Sequence, residues 1–428
     1  MVKAAASKLI ARRLRTKMEQ LLAKHNFSVI CVTGSVGKTS AKYAIAKVLS
    51  TKYRTYVSDE SYNWDIGLPL SLFGLKAPDR LASVAAWQKI FRQINKLIRN
   101  YPYEVVVLEI AEDEQQTMQE YVDLLKPDFF VVTGATAVHM ARMHSVKNIE
   151  RDIIELASSA KRVIYNADFP VFSKAFGKKK HNLSYGIAKG QAHFGQLKRS
   201  REGLLKGELI LGHNRKLLIT QQVMQAGLYS LLAASLIAHE YDIEVSPLVE
   251  TLSQLQPLRG RGRLLAGIND AKLIDDSYNS SPEATVAALN TLNEFKGRKI
   301  AVLGSMNELG SYSSTAHAQV GEVAARTVDM LVTIGADAER YLVSAAQTVG
   351  MSASNIKRFD SPYVAGHFLK KTLRAGDVVL IKGSQDRVFS EEVTRIILAK
   401  HLDPVQELVR QTSFWQRKKK RAFPNESY

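Results

Sequence analysis

Apolar positions along the chain change rhythm several times, and each rhythm predicts an element. Leu9, Ile10, Leu14, Met18, Leu21 and Leu22 recur at spacings of three and four, which places an apolar stripe on one face of a helix. Residues Phe27 to Thr33 form a short β-rich run that enters Gly34-Ser-Val-Gly-Lys-Thr-Ser40, and Ala41 to Leu49 then reads as helix. Further apolar runs at Val105 to Ile110, Phe129 to Thr133 and Val163 to Asn166 alternate with helix-like segments. That alternation is the pattern of a parallel sheet covered on both faces. Between Gly177 and Thr220 short polar strands with Gly and Lys predict a β-rich patch inserted in the same unit, before Met224 to Tyr241 returns to helix.

Pro257-Leu-Arg-Gly-Arg-Gly-Arg263 is a charged, glycine-rich hinge between apolar segments. Beyond it, Ala271 to Asp275, Lys299 to Leu303, Met330 to Ile334 and Val378 to Ile381 read as strands with helices between them. The prediction is an α/β chain with domains over 28–257 and 258–405, preceded by a basic amphipathic helix over 1–27 and followed by a basic tail over 406–428.

A length of 428 residues with 46% hydrophobic content suffices for two or three buried cores. No run of about 18 uncharged apolar residues is present, and charges run through the N-terminus where a signal peptide needs an apolar core, so a cytoplasmic location is expected. The single cysteine, Cys31, excludes an internal disulfide and a Cys-rich zinc site. The net charge of +18 is concentrated at Lys3, Lys8, Arg12, Arg13, Arg15, Lys17 and Lys24 and at Arg417-Lys-Lys-Lys-Arg421, which follows Phe414-Trp415. Both ends suit either a docking helix and a solvated tail or peripheral contact with an anionic membrane. Nucleic acid is not an expected partner, since no binding motif accompanies the charge.

The loop from Gly34 to Ser40 offers backbone N–H groups and a helix N-terminus to phosphates, with Lys38 as a mobile cation and Thr39 in reach of Mg²⁺. ATP is the expected guest. Val32 stands where the general phosphate-loop pattern has its first glycine.

That shorter loop resembles the one in the Mur ligase family, and a series of further segments carries the resemblance. Ser61-Tyr-Asn-Trp-Asp-Ile-Gly-Leu-Pro69 is similar to the family's Asn-rich segment, Val106-Val-Leu-Glu109 to its strand ending in a magnesium-holding glutamate, and Asn166-Ala-Asp168 to its Asn-x-Asp element. His139 falls at the place of a metal-binding histidine. Asp275-Asp-Ser-Tyr-Asn-Ser-Ser-Pro282, Ala301-Val-Leu-Gly-Ser-Met-Asn-Glu-Leu-Gly310, His317 and Leu380-Ile-Lys-Gly-Ser384 follow in the order and spacing of the MurF type. The resemblance spans roughly residues 28 to 400. It implies a P-loop central ATPase domain, a Rossmann-like C-terminal domain, and an ADP-forming ligase that makes amide bonds on a cell-wall peptide precursor. ATP and Mg²⁺ are its implied cofactors. Gly34, Ser35, Gly37, Lys38, Thr39, Ser40, Asn166, Arg263, Asp276 and Asn279 would hold the nucleotide, and Thr39, Glu109 and His139 the metal. Lys38, Glu109, His139 and Arg263 would be catalytic, and Asn63, Lys382 and Ser384 would meet the substrates, an amino acid or dipeptide and its acceptor.

Departures from the family shape the expectation. Only residues 1–27 precede the first strand, so the domain that grips a UDP-sugar is expected to be missing. A lipid-linked precursor, a free peptide or a substrate presented by another protein are the open acceptors, and the basic ends make the membrane-bound one attractive. Ile153 stands fourteen residues after His139, where the family has a carbamylated lysine, with Asp152 and Glu155 as nearby replacements. Ala226 and Gly227 occupy the places of a His-Asn pair, and Ile110-Ala-Glu-Asp-Glu114 replaces a glycine turn. Two rival readings remain: a relative of folylpolyglutamate synthetase acting on another acceptor, and a nucleotide-binding homologue without turnover.

Overall fold

The computed structural model describes residues 2–58, 66–78, 80–110, 115–136, 145–307 and 309–426, with side chains for all of these except 2–6 and 115–117. Two sheets organise the chain. The first contains β1 (Ser28–Thr33), β2 (Thr55–Val57), β3 (Val105–Glu109), β4 (Phe129–Val132), β5 (Arg162–Asn166), β6 (Leu183–Tyr185), β7 (Ala192–Arg199), β8 (Leu205–Leu211) and β9 (Asn214–Ile219), in the spatial order 2-3-1-4-5-6-7-8-9. Pairing is parallel from β2 to β7 and antiparallel from β7 to β9. The predicted inserted patch is therefore not a separate layer. Its strands extend the central sheet along one edge, and alternation in Leu205–Leu211 buries every second residue.

The second sheet contains β10 (Arg263–Ala266), β11 (Lys272–Asp276), β12 (Lys299–Gly304), β13 (Met330–Ile334), β14 (Ile356–Phe359) and β15 (Val378–Lys382), in the order 10-11-15-12-13-14. All its pairs are parallel except β10 with β11. The central strands of both sheets are buried on both faces, which is why they read as continuous apolar runs. Helices cover each face and close two apolar clusters per sheet.

The sheets meet through specific contacts. Arg199, at the end of β7, pairs with Glu294 at 2.7 Å and lies over Phe295, while Lys272 donates to the carbonyls of Arg201 and Glu202. In the hinge, Gly260 and Gly262 have φ of 69° and 72°, left-handed values that cost a side-chain-bearing residue energy, and the chain then enters β10.

Both basic ends are packed. The N-terminal helix, Val2–Lys24, buries Leu14, Met18 and Leu21 completely, and Arg13 lies 4.2 Å above the ring of Phe91 in the helix Val84–Arg99. Apart from Leu9, which is exposed, its apolar stripe is thus spent on the protein core, leaving a basic face outward. At the other end, Ser413–Ala422 is a helix in which Lys419 is wholly buried. Among the described residues no helix is long and apolar enough to cross a membrane.

Leu14→Ala should lower the unfolding free energy by about 2–5 kcal/mol, because it deletes a fully buried side chain from an inter-helix contact. Urea denaturation checks this; a loss below about 0.5 kcal/mol would mean the helix is not part of the core.

Candidate active site

The phosphate loop is set by the end of β1 and the start of the helix Lys38–Leu49, with Gly37 at the N-cap in the left-handed region. Gly34 has a φ of 132°, and a Cβ there would lie 2.3 Å from Thr133 Oγ1 and 2.8 Å from the Gly134 carbonyl. The neighbouring strand end holds the loop from outside: Ser35 N–H donates to Gly134 O at 2.8 Å, and Thr136 N–H donates to Ser35 Oγ at 2.7 Å. Lys38 Nζ donates to the Gly34 carbonyl across the loop mouth. Backbone N–H groups, a helix N-terminus and an ammonium thus converge as phosphate binding requires.

Glu109 ends β3 beside this loop and is only 6% exposed. Thr39 Oγ1 donates to Glu109 Oε1 at 3.4 Å, and Lys42 Nζ faces Glu109 Oε2 at 3.2 Å with both side chains buried. Lys42 has no counterpart among the predicted site residues. One turn beyond Lys38 on the same helix, it sets a buried cation against the Glu109 carboxylate, so neither polar group faces an apolar interior alone. Among the described residues no three His, Cys, Asp or Glu side chains gather as a metal cage. Mg²⁺ does not need one, since it commonly takes one or two carboxylates with phosphate oxygens and waters, so the Thr39 hydroxyl and the Glu109 carboxylate fit it.

The opposite wall comes from the second sheet. Asp276 and Lys382 are register partners at the ends of β11 and β15, and their side chains pair at 2.6 Å. Lys382 Nζ also donates to the Asn279 carbonyl at 2.9 Å. Ser384 Oγ accepts from Asn307 N–H at 2.8 Å, and His317 Nε2 accepts from Met306 N–H at 2.9 Å. The buried His317 donates through Nδ1 to Ser313 O and is held below its ordinary pKa chiefly by burial, so it stays neutral and braces the 305–307 turn. Asp275, fully buried behind Asp276, is pushed up to about 6 by burial, with Glu391 and Asp276 adding negative charge nearby.

A cleft of about 460 Å³ lies between the walls, and Gly37, Ser40, Tyr43, Arg261, Asp276 and Lys382 all border it. That brings the loop and the Asp276–Lys382 pair into one cavity of ligand size. Two predicted nucleotide residues are placed elsewhere. Asn166 is fully buried, its amide donating to Thr133 O and its oxygen accepting from Asp168 N–H, so both ends are satisfied by backbone. Arg263 pairs with Glu407 at 3.0 Å and does not line the cleft; Arg261, two residues earlier, lines it and stacks 4.0 Å from the Tyr278 ring. Asn63 and His139 lie outside the described residues, as do Glu112, Asp113 and Glu114. Of the replacements near Ile153, Asp152 is buried and paired with Arg151, and Glu155 is exposed. At Gly227 a Cβ would fall 2.1 Å from Gln222 Oε1, the end of a side chain that lines the cleft while donating to Leu255 O, so a larger residue there requires Gln222 to move.

Known proteins match this arrangement. Residues 32–210 match the Mur ligase middle domain, and residues 260–385 match the Mur ligase glutamate ligase domain. The UDP-N-acetylmuramoyl-tripeptide–D-alanyl-D-alanine ligase of Synechocystis is 28% identical over 86% of this chain and 74% of its own length. The enzyme of the same name from Bacillus subtilis is 26% identical over 86% and 76%. Among solved structures, MurF ligase from Thermotoga maritima in complex with ADP superposes with a TM-score of 0.75 at 22% identity, over 90% of this chain and 83% of that one. A pseudomurein peptide ligase type C from Methanothermus fervidus gives 0.65 at 15% identity, over 88% and 80%. With both domain models matched in order around a two-walled cleft, the chain belongs to the Mur ligase family of ATP-dependent, ADP-forming ligases. Within that family its similarity runs to the MurF type.

Asp275 makes the site's stability depend on pH. Its folded pKa of about 6 lies above the ordinary 3.8, so folding favours the protonated form; that advantage is complete below about 3.8 and lost as pH rises through about 6. Asp275→Asn should therefore gain on the parent by roughly 2–3 kcal/mol between pH 4 and pH 7.5. Thermal melts at both pH values check it, and a difference that stays constant with pH refutes it.

Proposed function

We propose that the chain joins the carboxyl group of a cell-wall peptide precursor to the amine of an amino acid or dipeptide, with D-alanyl-D-alanine the amine named for its relatives. The observation that carries this reading is the single cleft bordered by the phosphate loop on one side and by Asp276 and Lys382 on the other. A carboxylate is a poor acylating agent in water. Its oxygen attacks the γ-phosphorus of ATP, the bond to ADP breaks, and an acyl phosphate results; the amine nitrogen then attacks the acyl carbon, phosphate leaves, and the nitrogen gives up a proton.

Two anions must meet in the first step, so cations have to flank the transferring group. Lys38 supplies one from the loop and Lys382 another from the far wall. Thr39 and Glu109 would hold Mg²⁺, which when bound neutralises phosphate charge. Lys42 holds Glu109 in place through their buried ion pair. Because the cations come from both sheets, catalysis requires the walls to approach, and the glycine hinge at Gly260 and Gly262 supplies the freedom. In the closed form Arg263 is proposed to leave Glu407 for the nucleotide, with Ser384 and Asn279 near the amine and the phosphates. The Lys38, Glu109 and Asp276–Lys382 set argues for turnover rather than binding alone.

A cytoplasmic location at the inner face of an anionic membrane, with a lipid-linked acceptor, is the reading the basic helices favour. Lys8, Arg12, Arg13 and Lys24 on the first helix and Lys89, Arg92, Lys96 and Arg99 on Val84–Arg99 are exposed, beside exposed Leu9, Leu81 and Val84. Such a surface suits anionic headgroups electrostatically.

Phosphate release from ATP by the purified chain should require both an acceptor and an amine, and Lys38→Ala should reduce it at least about a hundredfold, as loss of a charge-stabilising group does. Release that needs neither co-substrate would overturn the ligase reading. Cosedimentation with anionic vesicles should fall when Lys89, Arg92 and Lys96 are changed to Glu; unchanged sedimentation removes the membrane reading.

A further inference from the structure

Three successive backbone carbonyls in the 277–279 turn are held by two buried cations. Asn279 O is held by Lys382, a wall of the cleft, whereas Ser277 O and Tyr278 O are held by Arg410 from far along the chain. Arg410 lies beyond residue 385, where the match to the C-terminal family domain ends. We infer that Arg410 is a positioning residue for the ligase reaction: it fixes the turn that follows Asp276 and carries Asn279, and through it the Lys382 ammonium at the cleft.

Several observations give Arg410 this role rather than that of a surface tie. It is 8% exposed and its backbone is left-handed at φ 55°, a strained state for a residue with a side chain, held only if the surroundings demand it. Glu391 Oε2 accepts from its guanidinium at 3.2 Å, which neutralises it. Lys419 then locks the segment: its Nζ meets Glu391 at 2.9 Å, Glu392 at 2.6 Å and the Arg410 carbonyl at 2.9 Å, all in a dry interior. The guanidinium fork matters because its two NH₂ arms span adjacent carbonyls, which a point-like ammonium cannot do. A cavity of about 460 Å³ opens behind the turn, bordered by Arg259, Tyr278, Arg410, Gln411 and Trp415, and is large enough to admit a small cation.

The inference rests on the ligase reading, and the test separates the two. Arg410→Lys keeps the charge opposite Glu391, so the protein should fold and melt cooperatively. Its kcat for phosphate release should fall at least about tenfold while KM for ATP stays within about twofold, since misplacement of charge acts in the transition state more than on binding. In Arg410→Ala, added methylguanidinium should restore part of the lost kcat, an effect a purely structural loss would not show. Independently of turnover, hydrogen exchange in the 276–281 peptide of Arg410→Lys should speed up while β12 and β13 keep their protection. Parental kcat in Arg410→Lys, or unchanged exchange in that peptide, would overturn the inference. A parental chain that releases no phosphate would instead refute the ligase reading and leave the exchange experiment to decide whether Arg410 fixes the turn.

Discussion

The pair between Asp276 and Lys382 is the interaction on which the far wall of the cleft depends. Each residue ends a central strand, and the two are register partners, so the sheet itself brings a carboxylate and an ammonium to 2.6 Å in a place from which water is largely excluded. Neither charge is tolerable there alone; removing one partner of such a pair costs roughly 3–5 kcal/mol. Pairing leaves the ammonium poised at the cleft, with a further hydrogen bond to Asn279 O, and the turn after β11 inherits its shape from that bond.

The first sheet repeats this solution. Glu109 ends a strand, is buried, and is balanced by Lys42 from the helix that follows the phosphate loop. Each side therefore carries a buried carboxylate with its own lysine, Asp276 and Lys382 bordering the cleft and Glu109 and Lys42 set beside the phosphate loop, so the proposed nucleotide would meet charges already fixed. The same economy governs the C-terminal segment, where Lys419, Arg410, Glu391 and Glu392 neutralise one another inside the protein.

Much of this was legible in the sequence because strands buried on both faces write themselves as apolar runs. The strands Met330–Ile334 and Ser28–Thr33, and the glycine loop after the latter, follow directly from such runs and from turn chemistry. Strand β14 escaped because Lys357 and Arg358 interrupt its apolar character at the sheet edge, and β10 because it begins inside the glycine hinge. Lys42 looked like any polar helix position, since its partner Glu109 is 67 residues away and only the β1–β3 pairing brings them together. Arg263 and Arg261 could not be told apart by spacing; the left-handed glycines turn one toward Glu407 and the other toward the cleft. Lys419, in a run of five basic residues, read as part of a solvated tail or a membrane-facing one, because a charge run carries no sign of the buried glutamates that receive one member of it.

The measurement that bears most directly on the account is oxygen transfer from the acceptor. With the acceptor carboxylate labelled with ¹⁸O, the phosphate released from ATP during amide formation should carry one labelled oxygen, because the carboxylate oxygen becomes the bridging atom of the acyl phosphate and leaves with the phosphorus. Unlabelled phosphate accompanying amide product would contradict the account, since it would mean that the carboxylate and the terminal phosphate never meet between the two walls of the cleft.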